Sequence, residues 1–116
     1  MKLIFVYNAN AGIAAGIMDS IHKTLSPATY PCSLCAITYG AVRMNPTWRA
    51  WLKVQAFETI FHHRPDFRAA YPDVEVALPV ILVARDGQVE TLVAADEFGE
   101  APTVAALIAL IESRLS

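Results

Sequence analysis

Residues 77–94 read ALPVILVARDGQVETLVA. Val80 to Ala84 is an apolar, β-branched run, Asp86-Gly87 is the pair that a two-residue hairpin turn prefers, and Val89 to Ala94 returns as a partner strand. The stretch therefore predicts an antiparallel pair. Downstream of Gly99, the residues Val104, Leu107, Ile108, Ile111 and Leu115 recur on one helical face, so a closing helix is expected, entered at Pro102.

Working back from the hairpin, Phe57 to His62 alternates as Phe57, Thr59, Phe61 against Glu58, Ile60, His62, which predicts a strand with at least one well-buried face. Between the two lies PDFRAAYP, one or two helical turns. Before the strand, Pro46 stands where a helix tolerates proline, at its first turn, with Trp48, Trp51 and Leu52 following at helical spacing. At the start of the chain, Leu3 to Tyr7 is short, apolar and uninterrupted, as a strand covered on both faces is. It runs into NANAG, the Asn8 to Gly12 turn. Ile13, Ile17, Met18, Ile21 and Leu25 then mark an amphipathic helix stopped by Pro27. Residues 26–45 are an excursion punctuated by proline, whose middle, SLCAITYG, suits a short helix ending at Gly40.

The order is thus β, α, an inserted α-rich excursion, β, α, β, β, α. Strands alternating with helices imply parallel pairing, and the final hairpin adds an antiparallel edge, so the fold class is α/β with a central mixed sheet. With 116 residues the chain is expected to form one domain over 1–116, since domains commonly span about 100–150 residues. A composition 55% apolar and 17% charged excludes a disordered chain. The net charge of -2 offers no basic surplus for phosphates, so a nucleic-acid partner is not expected. LIFVY is shorter than the roughly 7–15 apolar residues of a secretion signal, and far shorter than the roughly 20 of a spanning helix. A cytoplasmic protein without a membrane segment is the expectation, and in a reducing cytosol paired cysteines are more often catalytic or metal-binding than permanent crosslinks.

The two cysteines of the chain, Cys32 and Cys35, fall within YPCSLCAITYG at C-x-x-C spacing. Three readings compete. As a structural clip the pair is poor, because so short a loop removes only roughly 2 kcal/mol of unfolded-chain entropy; two reduced cysteines packed as small hydrophobes are the other structural option. As half of a metal site the pair suits Zn2+ or a soft ion, with His22 or His62 completing it; of His62 and its neighbour His63, strand alternation lets only one join a given site. As a redox dithiol, an i, i+3 pair at a helix opening marked by Pro31 favours attack by Cys32 and resolution by Cys35. Phosphate-binding glycine loops are absent. Asp66, Asp96, Glu97 and Glu100 read as capping or solvated charges, and Trp48 and Trp51 as packing residues.

With its element order, its C-x-x-C and Pro79 directly before the third strand in ALPVILV, the chain resembles the thioredoxin-like superfamily. KLIFVYNA and YPCSLCA are also similar to stretches of short bacterial proteins. The superfamily resemblance implies a thioredoxin-like three-layer sandwich with a four-stranded sheet, a cis Leu78–Pro79 bond, and Pro79 as the substrate-side wall of the dithiol. It implies protein thiols or small disulfides as substrates and no bound cofactor. The cysteines stand elsewhere than in that family, where they directly follow the first strand; here Cys32 comes 25 residues after Tyr7. A helix over 13–25 carries the chain about 20 Å from the sheet end. The steps from Leu25 to Cys32 span at most about 23 Å, so the return is nearly taut. A thiol–disulfide redox protein acting through Cys32 and Cys35 is therefore the first expectation, a Zn2+ or soft-metal binder using Cys32, Cys35 and His22 or His62 the alternative, and a non-catalytic interaction module the third.

Overall fold

The structure is a computed structural model and describes residues 1–8, 33–39 and 44–115. The expected helix over 13–25 and most of the Asn8 to Gly12 turn lie outside the described residues. So do His22 and Cys32. Within the described residues the elements are β1 (Lys2–Val6), α1 (Ser33–Thr38), α2 (Pro46–Lys53), β2 (Glu58–His62), α3 (Arg64–Ala70), β3 (Val80–Arg85), β4 (Gln88–Val93), a 3-10 helix (Ala95–Glu100) and α4 (Val104–Leu115).

The strands form one mixed sheet in the order β2-β1-β3-β4. β1 pairs parallel with β2, Ile4 opposite Ile60, and antiparallel with β3, Ile4 opposite Leu82. Because β1 is central, successive side chains enter two different cores. Leu3, Phe5 and Tyr7 join Leu34 of α1, Trp48 of α2, Phe98 of the 3-10 helix and Leu107 and Ile111 of α4. Ile4 and Val6 join Val80, Leu82 and Phe67 of α3 on the other side. Helices thus cover both faces of the sheet, which explains why the first strand shows no polar alternation.

Local chemistry fixes the element ends. The Asn45 side chain accepts from the Thr47 and Trp48 N–H groups at 2.9 and 3.2 Å, and Pro46 follows at the first helical position, so α2 starts where its unpaired donors are met. Asp86 and Gly87 both take positive φ, 51° and 78°, which is the type I′ geometry that closes the β3–β4 hairpin. A register shift between Ile81 and Leu82 interrupts that ladder.

Two expectations are corrected. β2 has no fully buried face: it is an outer strand, and Phe61 remains exposed although its ring stacks on Phe5 at 5.0 Å. α4 is entered through Thr103, whose hydroxyl accepts from Ala106 N–H at 3.1 Å, with Pro102 lying before that cap. The expectation that Glu97 caps a helix is met at the 3-10 helix, where its carboxylate accepts from Ala94 N–H at 2.9 Å and is also gripped by Arg114.

Candidate functional site

α1 is short, and its position rests on the residues either side of Cys35. Leu34 is fully buried in the core of the Leu3, Phe5 and Tyr7 face, and Thr38 is buried with its hydroxyl donating back to the Leu34 carbonyl at 2.8 Å. Tyr39 N–H donates to the Cys35 carbonyl at 2.9 Å, closing the last turn. The chain then returns through a bridge between Tyr39 and Met44, with Asn45 N–H donating to the Thr38 carbonyl at 2.6 Å. α1 also approaches the 3-10 helix. Cys35 is consequently half-buried on this face. Its sulfur is disulfide-bonded, so no free thiol occurs among the described residues. Cys32, the only other cysteine in the sequence, lies outside them.

Pro79 stands directly before β3, beside the end of β1. Val6 is opposite Val80, so Pro79 faces the backbone of Tyr7 where β1 ends. It is buried, and its bond to Leu78 is cis. Tyr7 links this end to the α1 segment: its ring meets Tyr39 edge to face at 5.8 Å and His63 at 5.7 Å. Burial pushes the Tyr7 phenol well above its ordinary pKa; Tyr39 adds to the rise, and the Thr38 hydroxyl partly offsets it. The Tyr7 hydroxyl is buried and has no hydrogen-bond partner of proper geometry, although Thr38 and Tyr39 stand beside it. Sequence reasoning did not pick out this Tyr7, Tyr39 and His63 group. Its signal was the position of Tyr39 directly after the cysteine segment and of Tyr7 at the end of the first strand.

His62 is placed elsewhere. Its ring packs on Phe67 and Tyr71 at 6.2 and 5.9 Å, which puts it on the α3 face, while Cys35 packs on the opposite face. The sheet stands between the two residues. His62 Nδ1 lies 2.7 Å from Asp66 Oδ2, and Asp66 Oδ1 accepts from His63 N–H at 2.9 Å. For the Asp66 carboxyl, desolvation raises the pKa, but the bonds from His62 and from the His63 and Asp66 backbone N–H groups outweigh it and hold the group below its usual range. Among the described residues no three His, Cys, Asp or Glu side chains converge to hold a metal ion.

No helix among the described residues is long and apolar enough to cross a membrane. Compared with protein-family models, curated proteins and solved structures, the chain matches none.

Proposed function

We propose that the chain is a thiol–disulfide redox protein of thioredoxin-like architecture, with Cys32 as the attacking sulfur and Cys35 as the resolving one. The observation that carries the reading is the state and place of Cys35: disulfide-bonded, half-buried, and one turn before Tyr39, whose ring meets Tyr7 where β1 ends. Support for the architecture comes from the mixed four-stranded sheet with its antiparallel final hairpin, helices on both faces, and Pro79 in the position the resemblance implies.

The chemistry conserves atoms and electrons. The Cys32 thiolate attacks one sulfur of a substrate disulfide, forming a mixed disulfide and expelling the other substrate sulfur as a thiolate, which takes up a proton. The Cys35 thiolate then attacks the Cys32 sulfur, releasing the second substrate thiol and leaving Cys32–Cys35 oxidised. A separate dithiol reductant returns the pair to the reduced state.

The test uses a small aromatic disulfide whose released thiolate absorbs visible light, with dithiothreitol as reductant. The full chain should accelerate thiolate release, Cys32→Ser should abolish the acceleration, and Cys35→Ser should accumulate a covalent adduct of protein and half the disulfide. Release at the uncatalysed rate with no adduct on Cys35→Ser would overturn the reading.

A further inference from the structure

The two outer strands of the sheet differ in how they are protected. β4 carries Gln88 and Glu90 on exposed positions and sits beside the register shift at Ile81/Leu82. Exposed charge and a broken ladder both discourage another strand from adding there. β2 lacks the ladder break, and its exposed charge, Glu58, is confined to its first residue. Its sequence, ETIFH, is β-branched and aromatic at its centre, without lysine, proline or a bulge, and its five residues pair in unbroken register with β1.

The backbone of β2 shows which groups point away from the sheet. Glu58 N–H donates to the Met1 carbonyl and Tyr7 N–H donates to the His62 carbonyl, so Glu58, Ile60 and His62 direct their N–H and C=O groups toward β1. By alternation Thr59 and Phe61 direct theirs outward. Among the described residues nothing bonds to those outward groups. Among the described residues Phe61, on this strand, is exposed at 36%, and Met1, whose carbonyl accepts from Glu58 N–H, at 54%.

We infer that β2 is a self-association edge, at which a second copy of this chain adds its own β2 antiparallel about a two-fold axis through Ile60. That register makes Thr59 and the partner's Phe61 a hydrogen-bonded pair, twice over, which uses the outward N–H and C=O groups of both residues. Ile60 meets the partner's Ile60 as the non-hydrogen-bonded pair. Glu58 falls opposite His62 in each direction, so no like charges meet across the junction. Parallel in-register pairing would instead set Glu58 beside Glu58. Self-complementarity of this kind is what a two-fold interface requires and what an arbitrary peptide strand would not share.

Sedimentation of the full chain over a wide concentration range should show a reversible monomer–dimer equilibrium. Thr59→Pro removes only an outward N–H, which an edge strand tolerates. It should leave the circular dichroism spectrum unchanged and weaken dimerisation about tenfold or more, since one hydrogen bond is lost on each side of the axis. Register is read by crosslinking in a Cys32→Ser/Cys35→Ser background. There Ile60→Cys should oxidise to a covalent dimer, its Cα atoms being about 4.5 Å apart across the axis, whereas Thr59→Cys, opposite Phe61, should not. A protein monomeric at every concentration, or Thr59→Cys crosslinking as readily as Ile60→Cys, would overturn the inference; capture of peptide strands by a strictly monomeric protein would do the same.

Discussion

Arg114 near the end of α4 reaches back to Glu97 of the 3-10 helix, donating from Nη1 to Oε1 at 2.8 Å and from Nη2 to Oε2, while Nη1 also donates to the Leu92 carbonyl at 2.7 Å. One guanidinium thereby ties the end of β4, the connecting turn and the last helix together. The Arg114 bonds are the largest cause holding the Glu97 carboxyl down to about 2, helped by Ala94 N–H and opposed by partial desolvation.

A carboxyl whose folded pKa lies below its unfolded value adds stability that is complete above the unfolded value and vanishes as pH falls through the folded one. Glu97 should therefore contribute fully at neutral pH and lose its contribution between about pH 4.5 and about pH 2. Glu97→Ala should cost about 1–2 kcal/mol at pH 7, summing a lost cap and a partly exposed ion pair. Urea unfolding at pH 7 and at pH 2 checks this: the gap between native and variant should close in acid.

Gly87 takes φ of 78° with nothing within 4 Å of where a Cβ would stand, so any cost of a side chain there is conformational. Gly87→Ala should destabilise by about 1 kcal/mol through the backbone alone. Asp86→Asn, which also accepts positive φ, should be neutral within about 0.5 kcal/mol. Thermal midpoints of the two variants, measured side by side, decide the matter.

Trp48 is fully buried against the edge of Phe5, ring centroids 5.6 Å apart, yet its indole N–H has no hydrogen-bond partner. Trp48→Ala should cost about 3–5 kcal/mol by opening a cavity. Trp48→Phe should cost markedly less, because part of the lost packing is offset by removing an unpaired buried donor. Chemical denaturation of both variants checks this order, and a Trp48→Phe loss as large as that of Trp48→Ala would contradict it.

Asp66 both caps α3 through His63 N–H and pairs with His62. Asp66→Ala should lower stability by about 1 kcal/mol, and Asp66→Asn by less, since an amide oxygen still accepts the capping bond. Unfolding midpoints of the two variants at neutral pH check that order.

Much of the fold is written locally. Runs such as Leu3 to Tyr7 and Val80 to Ala84 are apolar on consecutive residues because the strands they form are covered on both faces, and Asp86-Gly87 names its own turn. Asn45-Pro46 likewise announces α2. What local pattern omits is which strand lies outermost: Phe57 to His62 alternates as a half-buried strand would, and only the pairing of β1 with both β2 and β3 leaves β2 at the edge. The 3-10 helix escaped because it is too short for a period to develop, and its one buried anchor, Phe98, sits among charges and glycine. For the candidate site, the C-x-x-C and Pro79 were legible as residue types. Strand alternation sent His62 and His63 to opposite faces as expected, but nothing in the spacing told that His62 would take the face away from Cys35.

The most direct measurement is the mass of the intact protein, after rapid acid quench and thiol alkylation, across a series of thiol–disulfide buffers. A redox dithiol should pass in one step from a doubly alkylated form to an unalkylated form lighter by a pair of hydrogens, with Cys32→Ser and Cys35→Ser each losing that transition. A native protein that keeps a single alkylation state across the whole series, with neither sulfur exchanging with the buffer, would contradict the proposed chemistry.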